Sequence, residues 1–495
     1  PVGDLRWREP KTAVSWAGVR DATKFGNICY QTPDGARFPS SSLSEDCLYL
    51  NVWTPSLKPA QPAPVMVFIH GGSFVSGSGS QAEFDGANLA ARGVVIVTIN
   101  YRLGVFGFLA HPDLSAESPR HTSGNYGLLD QMAALRWVRN NIGSLGGDPR
   151  NVTVFGESAG ASSIGYLLVA PDAKDLFDKA ILESPSIVFQ PAPELRNQYR
   201  GLTSMEEIGL AVGPHIAELR SLTGEELMAR GHQAAQKLFG AGGTGRARLR
   251  PETPLDNPSF VASPWAPFAD GVVIPGQPAL LYTENRTMRI PVLVGTNTNE
   301  GNLFLRQYHP TDANSFDAWV EQAFAPCGKQ VLALYAPASP TSPEQIHAAA
   351  DRLLTDSIQL YNAFSIARAT HGFLYRFTHV SPLGELSGMG AYHSSELAYV
   401  FGHTHVPDAR HPDVHFKPQD HKLSDQMMTM WVHFARTSDP RLMMSSDWTR
   451  IGSNGEVPYM DFGDTLAVKD LPDTSLQIFS ELWPPSGKTP TCAKK

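Results

Sequence analysis

The stretch "NVTVFGESAGASS" limits the fold of this chain more than any other. An apolar run, Val152 to Phe155, breaks off at Gly156, and Ser158 then stands between Gly156 and Gly160. The β-branched run reads as a strand, and the small residues after it read as the first turn of a helix. Strand, Gly-x-Ser-x-Gly and helix in that order form a nucleophile elbow. The turn has no room for side chains at its glycine positions, and the serine hydroxyl is thrust out at the end of a sheet. The same letters also occur as a plain Gly/Ser turn without chemistry; the place directly behind a strand favours the elbow.

Further apolar runs stand at Val65–Ile69, Val94–Ile99, Lys179–Glu183, Pro291–Thr296 and Phe373–Thr378. They are continuous rather than alternating, as in strands covered on both faces. Within "NYGLLDQMAALRWVRNNIG", Leu128, Met132, Leu135 and Val138 recur at helical spacing, and Gly143 reads as the stop. Strands alternating with helices predict a mostly parallel α/β sheet. Two stretches interrupt the alternation, about 185–289 and 302–371, and both read as mostly helical insertions that build walls over the sheet edge. The segment "LMARGHQAAQKLF" reads equally as a wall or a lid. No short repeat or low-complexity segment occurs.

A chain of 495 residues is long enough for several domains, but a large α/β enzyme with insertions also fits as one. The formal net charge of -8 argues against a nucleic-acid partner, which calls for basic patches. No apolar run of about 20 residues is present, so no membrane-spanning helix is expected. Of the four cysteines, Cys29 and Cys47 flank a short polar stretch, and a disulfide there is preferred over two buried thiols. Cys492 either pairs with Cys327 or stays free.

A serine hydroxyl is a weak nucleophile until a base takes its proton. The developing oxyanion also needs donors, and "VFIHGGSFVSGSGS" supplies them: His70, Gly71, Gly72 and Ser73 directly follow a strand. Glycines there let backbone N–H groups approach a tetrahedral oxygen.

With these motifs in place, the chain resembles the type-B carboxylesterase family, the α/β-hydrolases that include cholinesterases and fungal lipases. The matching pieces are "PVGDLRW", "SEDCLYLNVW", "HGGSFVSGSGS", "NYRLGVFGFL", "GNYGLLDQMAALRWVRNNIGSLGGDPRNVTVFGESAGASS", "TNTNEGNLF" and "YHSSELAYVFG", spread over nearly the whole chain. The resemblance implies a single α/β-hydrolase domain, residues 1–495. Family members begin with further residues before "PVGDLRW", so an opening segment is expected to be missing. It also implies the other two members of a triad. The acid falls on Glu300 in "TNTNEGNLF" and the base on His393 in "YHSSELAYVFG", giving the order Ser158, Glu300, His393. By the same match the oxyanion donors are the backbones of Gly72, Ser73 and Ala159, with Ser73 standing where most members have glycine. Ser184 and Glu157 are expected just behind the triad. Two ion pairs are implied, Arg6 with Glu45 and Arg102 with Asp130. No cofactor and no metal are expected.

Departures from the family bear on the substrate, a small-molecule ester. Cholinesterases carry a tryptophan in the loop between Cys29 and Cys47 to hold a quaternary ammonium. This loop has Tyr30 and Phe38 but no Trp, so a choline ester is disfavoured. The loop is also too short for the amphipathic flap of the fungal lipases. On the acyl side, Val261 and Ser263 stand where cholinesterases have restricting aromatics, with Trp265 and Phe268 nearby. A roomier pocket for bulky or branched acyl groups is expected. The cluster "FGHTHVPDARHPDVHF" holds His403, His405, His411, His415, Asp408 and Asp413, but its proline-rich spacing fits no helix face, and a metal there is not expected. The function expected is carboxylester hydrolysis through an acyl-enzyme. The alternatives are cleavage of an amide or carbamate by the same triad, or a catalytically silent adhesion-type relative. Such relatives usually lack the serine. The expected compartment is secreted or periplasmic, from the expected disulfide and the resemblance.

Overall fold

A computed structural model describes residues 1–35, 37–239, 264–305, 310, 312–337, 342–405, 413–442, 447–452, 456–471, 474–484, 490 and 492. They form two compact units. One comprises Pro1–Asp178 with the described residues between 192 and 278. The other comprises Lys179–Pro191 with the described residues from 279 onward.

The first unit contains β1 (Leu50–Trp53), β2 (Ala63–Ile69), β3 (Val95–Ile99) and β4 (Gly147–Glu157). Their spatial order is β4-β2-β3-β1. β2 runs parallel to both β3 and β4, and β1 is antiparallel to β3. Every residue of β3 is buried, which is why its sequence is uniformly apolar apart from Thr98. The register pairs Ile69 with both Ile99 and Gly156, so β2 and β4 end level with each other. That alignment brings the loop after β2 and the turn after β4 side by side. Around these strands lie α1 (Gly104–Phe108), α2 (Tyr126–Asn141), α3 (Ala159–Leu167), α4 (Met205–Val212) and α5 (Gly224–Phe239).

Helix α2 buries Leu128, Met132, Leu135 and Val138, as their spacing predicts. Its end differs from the sequence expectation. The α-helix closes at Asn141, a 3-10 turn carries the chain through Gly143 to Leu145, and the stop is Gly146 at φ 85°. A Cβ at Gly146 would meet the Ser56 carbonyl oxygen at 2.1 Å, so both conformation and space demand glycine there.

The second unit contains β5 (Lys179–Glu183), β6 (Val292–Asn297), β7 (Phe373–Phe377), β8 (Pro458–Phe462) and β9 (Leu466–Asp470), in the order β5-β6-β7-β8-β9. The first four are parallel, and β9 returns antiparallel to β8. β5 and β6 are buried throughout. The pairs Glu183–Gly295 and Asn297–Phe377 set the strand ends close in level, so the turns after β5 and β6 are neighbours. Among the helices of this unit are α6 (Gly301–Phe304), α7 (Pro343–Leu354), α8 (Tyr361–Thr370) and α9 (Pro418–Thr437). A π-helical segment, Thr355–Leu360, joins α7 to α8. Of the two stretches read as insertions, 302–371 is mostly helical where described, whereas turns and loops make up most of the described part of 185–289. The segment "LMARGHQAAQKLF" lies in α5, which packs on α1 and α4.

Both cysteine pairs are joined. Cys29 bonds Cys47 and Cys327 bonds Cys492, with Cα atoms 4.9 and 5.4 Å apart. The two ion pairs also form. Arg6 Nε donates to Glu45 at 2.7 Å, while its Nη1 reaches the carbonyls of Leu219 and Leu222 at 3.0 and 2.9 Å. Buried Arg102 forks onto both oxygens of Asp130 at 2.7 and 2.8 Å. Among the described residues no helix is long and apolar enough to cross a membrane.

Candidate active site

In open parallel sheets, ligands bind beyond the carboxyl ends of the strands. The site residues read from the sequence lie there in each unit.

In the first unit, β4 ends at Glu157 and α3 begins at Ala159, leaving Ser158 as the single linking residue. Its backbone sits at φ 55° and ψ -119°, a conformation costly for a side-chain-bearing residue. The glycines around it are dictated by contact. A Cβ at Gly160 would stand 1.9 Å from the Ile69 carbonyl oxygen, and one at Gly156 would stand 2.7 Å from the same atom. Ser162 bonds back to the Ser158 carbonyl through its amide at 2.8 Å and its hydroxyl at 3.0 Å, which closes the first helical turn. Ala159 is the first residue of α3, so its N–H has no partner within the helix.

The loop after β2 lies against this elbow. A Cβ at Gly71 would come within 3.0 Å of Ser158 Cβ and 2.7 Å of Glu157 Oε2. Gly72 has φ 99°, where a side chain would also strike the Ser76 carbonyl at 2.2 Å. Ser73 and Phe74 follow with φ 54° and 63°. Three successive left-handed residues turn the chain sharply. Amides of Val75 and Ser76 donate to the Gly72 carbonyl at 3.0 Å each, which holds that turn. Glu157 is buried behind the elbow.

His70 anchors the base of the loop. Its ring stacks on Tyr101 at 4.5 Å, and the Tyr101 hydroxyl donates to the His70 carbonyl at 3.0 Å. Burial pushes the imidazole down to about 4, so His70 is neutral at pH 7. From the other side, Gln31 takes the Gly77 amide at 2.8 Å and donates to the Gly77 carbonyl at 2.9 Å. The disulfide Cys29–Cys47 therefore bears on the loop after β2 through Gln31, a residue the sequence reading did not single out.

In the second unit, Glu300 lies in the turn between β6 and α6 and is fully buried. One oxygen, Oε1, accepts from Ser184 Oγ at 2.5 Å, Thr296 Oγ1 at 2.7 Å and the Asn297 amide at 2.6 Å. The other, Oε2, lies 2.5 Å from His393 Nδ1. Burial drives the carboxyl pKa upward. The charge and hydrogen bond of His393, with the bonds from Ser184 and Asn297, outweigh that, and the net direction is down. Glu300 is therefore an anion at neutral pH despite its burial. Ser184 itself stands at φ 54° just past β5, its amide bonded to the Gly295 carbonyl at 2.8 Å.

The loop carrying His393 is stapled to the turn after β6 by Asn297 and Asn299, which lie in the motif around Glu300 but were given no role from the sequence. Asn297 Nδ2 donates to the Tyr392 carbonyl at 2.8 Å and to Glu396 Oε2 at 2.5 Å. The Asn299 amide donates to the Ala391 carbonyl at 3.0 Å, and the Ala391 amide returns to Asn299 Oδ1 at 3.1 Å. Asn299 Nδ2 in turn donates to Asp351 on α7 at 2.7 Å, and Asp351 also accepts the Asn302 amide at 2.9 Å. Burial raises the Asp351 carboxyl to about 6, with a smaller push from the Glu300 charge, although three hydrogen bonds pull the other way.

Thus Ser158, Glu157, Gly72, Ser73 and Ala159 come together in the first unit, and Glu300, His393 and Ser184 in the second. Trp265 and Phe268 are buried in the first unit, whereas Val261 and Ser263 lie outside the described residues. In the histidine-rich stretch, His405 stacks on His421 at 4.1 Å. Asp408 and His411 lie outside the described residues, and among those described no three side chains are grouped to hold a metal ion.

A family model described as "Carboxylesterase family" matches residues 1–478. The chain belongs to the carboxylesterase family. It is 37% identical over 474 residues to the fumonisin B1 esterase of Sphingopyxis macrogoltabida, covering 94% of this chain and 81% of that one. It is 36% identical over 456 residues to the para-nitrobenzyl esterase of Bacillus subtilis, covering 89% and 84%. The acetylcholinesterase of Bungarus fasciatus is 32% identical over 478 residues, covering 89% and 73%. A solved structure of a PNB esterase superposes with a TM-score of 0.77 at 30% identity, over 97% of this chain and 93% of that one. These likenesses make the fold an α/β-hydrolase with a mainly parallel central sheet and flanking helices. They make the activity of this carboxylesterase the hydrolysis of carboxylic esters.

Proposed function

We propose that the chain cleaves carboxylic esters through an acyl-enzyme on Ser158, with Glu300 and His393 completing the triad. The observation that carries this reading is the buried contact between Glu300 Oε2 and His393 Nδ1. An imidazole held through Nδ1 by a carboxylate presents Nε2 as a base, the tautomer a serine nucleophile needs. Ser158 Oγ attacks the ester carbonyl carbon while its proton passes to His393 Nε2. The carbonyl oxygen becomes an anion and is received by the backbone N–H groups of Gly72, Ser73 and Ala159. The carbon–oxygen bond to the alcohol then breaks, and His393 returns the proton to the leaving alkoxide. Water repeats the sequence on the acyl-enzyme and releases the acid. Glu300, held by Ser184, Thr296 and Asn297, keeps the imidazole oriented and offsets its charge while it is protonated.

The acyl group is bulky or branched and the natural substrate is a small-molecule ester. The relatives' names, fumonisin B1 esterase and para-nitrobenzyl esterase, point to large esters without saying on which side of the ester bond the bulk lies. The loop closed by Cys29 and Cys47 lacks the tryptophan that choline recognition would use. Two disulfides favour an oxidising compartment, secreted or periplasmic. The test is Ser158→Ala, which should lower kcat by about 10⁶ with unchanged circular dichroism. A variant that keeps most of its turnover would overturn the assignment.

A further inference from the structure

Two residues past the end of β7, His379 is buried in the second unit. The amides of Thr378 and His379 both donate to the Phe462 carbonyl at 3.0 Å, which fixes the ring beside the turn between β8 and β9. The imidazole stands between two carboxylates. Nε2 lies 2.7 Å from Asp420 Oδ1 on α9, and Nδ1 lies 2.8 Å from Asp464 Oδ1 in the β8–β9 turn. An ionised carboxylate oxygen only accepts, so a ring nitrogen facing one at that distance must carry a proton. Both nitrogens do so only in the imidazolium. The two arms differ in burial. The Asp420 side chain is 1% exposed and that of Asp464 is 88% exposed.

Asp420 also accepts the Tyr399 hydroxyl at 2.5 Å and the Lys417 amide at 2.6 Å. Burial raises its carboxyl, but the bonds from His379, Tyr399 and Lys417 outweigh that, and the net direction is down. Burial likewise opposes a charged His379, and the bonds to Asp420 and Asp464 again outweigh it, so the net direction for the ring is up. Tyr399 stays a donor, because burial and its bond to Asp420 push the phenol up. The other charged or titratable groups nearby are paired elsewhere. Lys417 Nζ meets Glu385 of the helix Pro382–Ser387 at 2.8 Å, and Lys469 meets Asp461, which also accepts the Thr378 hydroxyl. His421 lies 3.2 Å from Thr404 Oγ1. Tyr399 connects this cluster to the triad. It lies on the short helix Leu397–Val400, just after the turn that carries His393. The Ser395 amide bonds the Tyr392 carbonyl at 3.0 Å and the Tyr399 amide bonds the Glu396 carbonyl at 2.9 Å, so two consecutive turns run from Tyr392 to Tyr399. The segment is held at both ends: Asn297 holds Glu396, while Asp420 holds the Tyr399 hydroxyl and Ser424 of α9 donates to the Tyr399 carbonyl at 2.9 Å.

We infer that His379 is a positioning residue for the ester hydrolysis: as an imidazolium it clamps the β8–β9 turn to α9 and, through Asp420 and Tyr399, fixes the segment that carries His393. Loss of its proton as pH rises loosens that segment and lowers turnover. A neutral ring keeps one N–H. Buried Asp420 retains it, because Asp464 can turn to water and Asp420 cannot. Deprotonation therefore frees the β8–β9 turn first and leaves Asp420 with a weaker bond from an uncharged donor. The inference rests on the triad reading above and adds a residue outside it that sets the pH range of activity.

The experiment compares the wild type with His379→Gln and with Asp464→Asn, an exposed change that spares the buried partners. For each, kcat and KM on p-nitrophenyl butyrate and the urea midpoint are followed from about pH 6 to about pH 10. His393 must be neutral to act as a base, so its titration shapes the acid side of the profile and that of His379 the opposite side. Wild-type kcat should fall as pH rises through the His379 titration, with KM changed less than about twofold. Asp464→Asn should match the wild type near pH 6 and move the falling limb down by about half a pH unit, the scale of an ion pair with one exposed partner. His379→Gln should lose about tenfold in kcat near pH 6 and lack that limb, a loss in the range for a displaced catalytic group. The folded-state value of His379 is raised, so its pairing stabilises fully below the unfolded value of 6.5 and is lost as pH rises through the folded value. The urea midpoints of wild type and His379→Gln should therefore converge with rising pH. A falling limb that is absent or unmoved in Asp464→Asn, an equal loss at every pH in that variant, or wild-type kcat in His379→Gln would overturn the inference. Should His379→Gln not fold, Asp464→Asn decides alone. If the wild type turns over no ester and Ser158 resists an active-site label, the triad reading itself has failed, and the midpoints still decide the clamp. Turnover whose pH profile ignores both variants sinks the positioning role alone.

Discussion

His393 Nδ1 lies 2.5 Å from Glu300 Oε2, and Glu300 is wholly buried while carrying three further hydrogen bonds on its other oxygen. A carboxylate so placed is expensive to ionise and becomes favourable because His393 and three hydrogen bonds compensate its charge. The arrangement fixes one imidazole tautomer, and the proposed chemistry depends on that choice.

Replacing Glu300 by Gln keeps the shape but offers His393 an amide, which can hold the wrong tautomer. The expected loss in kcat is about 10⁴, by analogy with the same change in other serine triads. The pKa direction adds a pH signature. The folded-state value lies below the ordinary carboxylate value, so the pairing stabilises the protein above the unfolded pKa of 4.5 and is lost as pH falls through the folded value. Thermal unfolding followed from pH 6 to pH 3 should show the wild type losing more stability than Glu300→Gln.

Asp351 carries the opposite sign. Its carboxyl is raised to about 6 from 3.8, so the folded protein binds the extra proton more tightly than the unfolded chain. Stability should therefore fall as pH rises from about 4 to 6, by this group's contribution. Asp351→Asn removes the titration, and its unfolding temperature should depend less on pH across that window. An identical pH slope in both proteins would contradict the assignment. Because Asp351 holds Asn299, and Asn299 holds the backbone beside His393, the variant should also show a lowered kcat with little change in KM.

Gly160 should tolerate no side chain. A methyl group there would meet the Ile69 carbonyl oxygen at 1.9 Å, and both partners are backbone in packed elements. Gly160→Ala is expected to cost about 3 kcal/mol in urea unfolding, at the upper end for overpacking. Wild-type stability in that variant would show that the elbow is looser than described.

The two disulfides should differ in weight. They span sequence separations of 18 and 165. By chain entropy the shorter link contributes about 3 kcal/mol and the longer about 5 kcal/mol. Cys327→Ser with Cys492→Ser should therefore lower the urea midpoint further than Cys29→Ser with Cys47→Ser. The second pair should cost more activity relative to stability, because Gln31 links that loop to Gly77, behind the turn proposed to receive the oxyanion.

How far the sequence could be read depended on how local each signal was. The tight turn at Ser158 and the glycines of the loop after β2 were legible because steric demand acts within a few residues. The buried strands β2, β3, β5, β6 and β7 were legible from continuous apolar runs. β1, β8 and β9 were not, since "LNVW", "PYMDF" and "LAVKD" are short and mixed with polar residues. Glu300 and His393 could be named only through family resemblance, because nothing near them in sequence marks an acid or a base. Asp351 lies 52 residues from Asn299, so their association leaves no local trace. The stop of α2 at Gly146 rather than Gly143 shows the same limit. Which glycine ends a helix was decided by the contact with Ser56.

The central claim is most directly tested by covalent trapping. The protein is treated with a p-nitrophenyl phosphonate, digested and mapped by mass spectrometry. One phosphonyl group on the peptide containing Ser158, formed in step with loss of esterase activity and absent from His393→Ala, is the predicted result. Inactivation with the adduct on another residue, or an unmodified Ser158 in fully inhibited protein, would contradict the account.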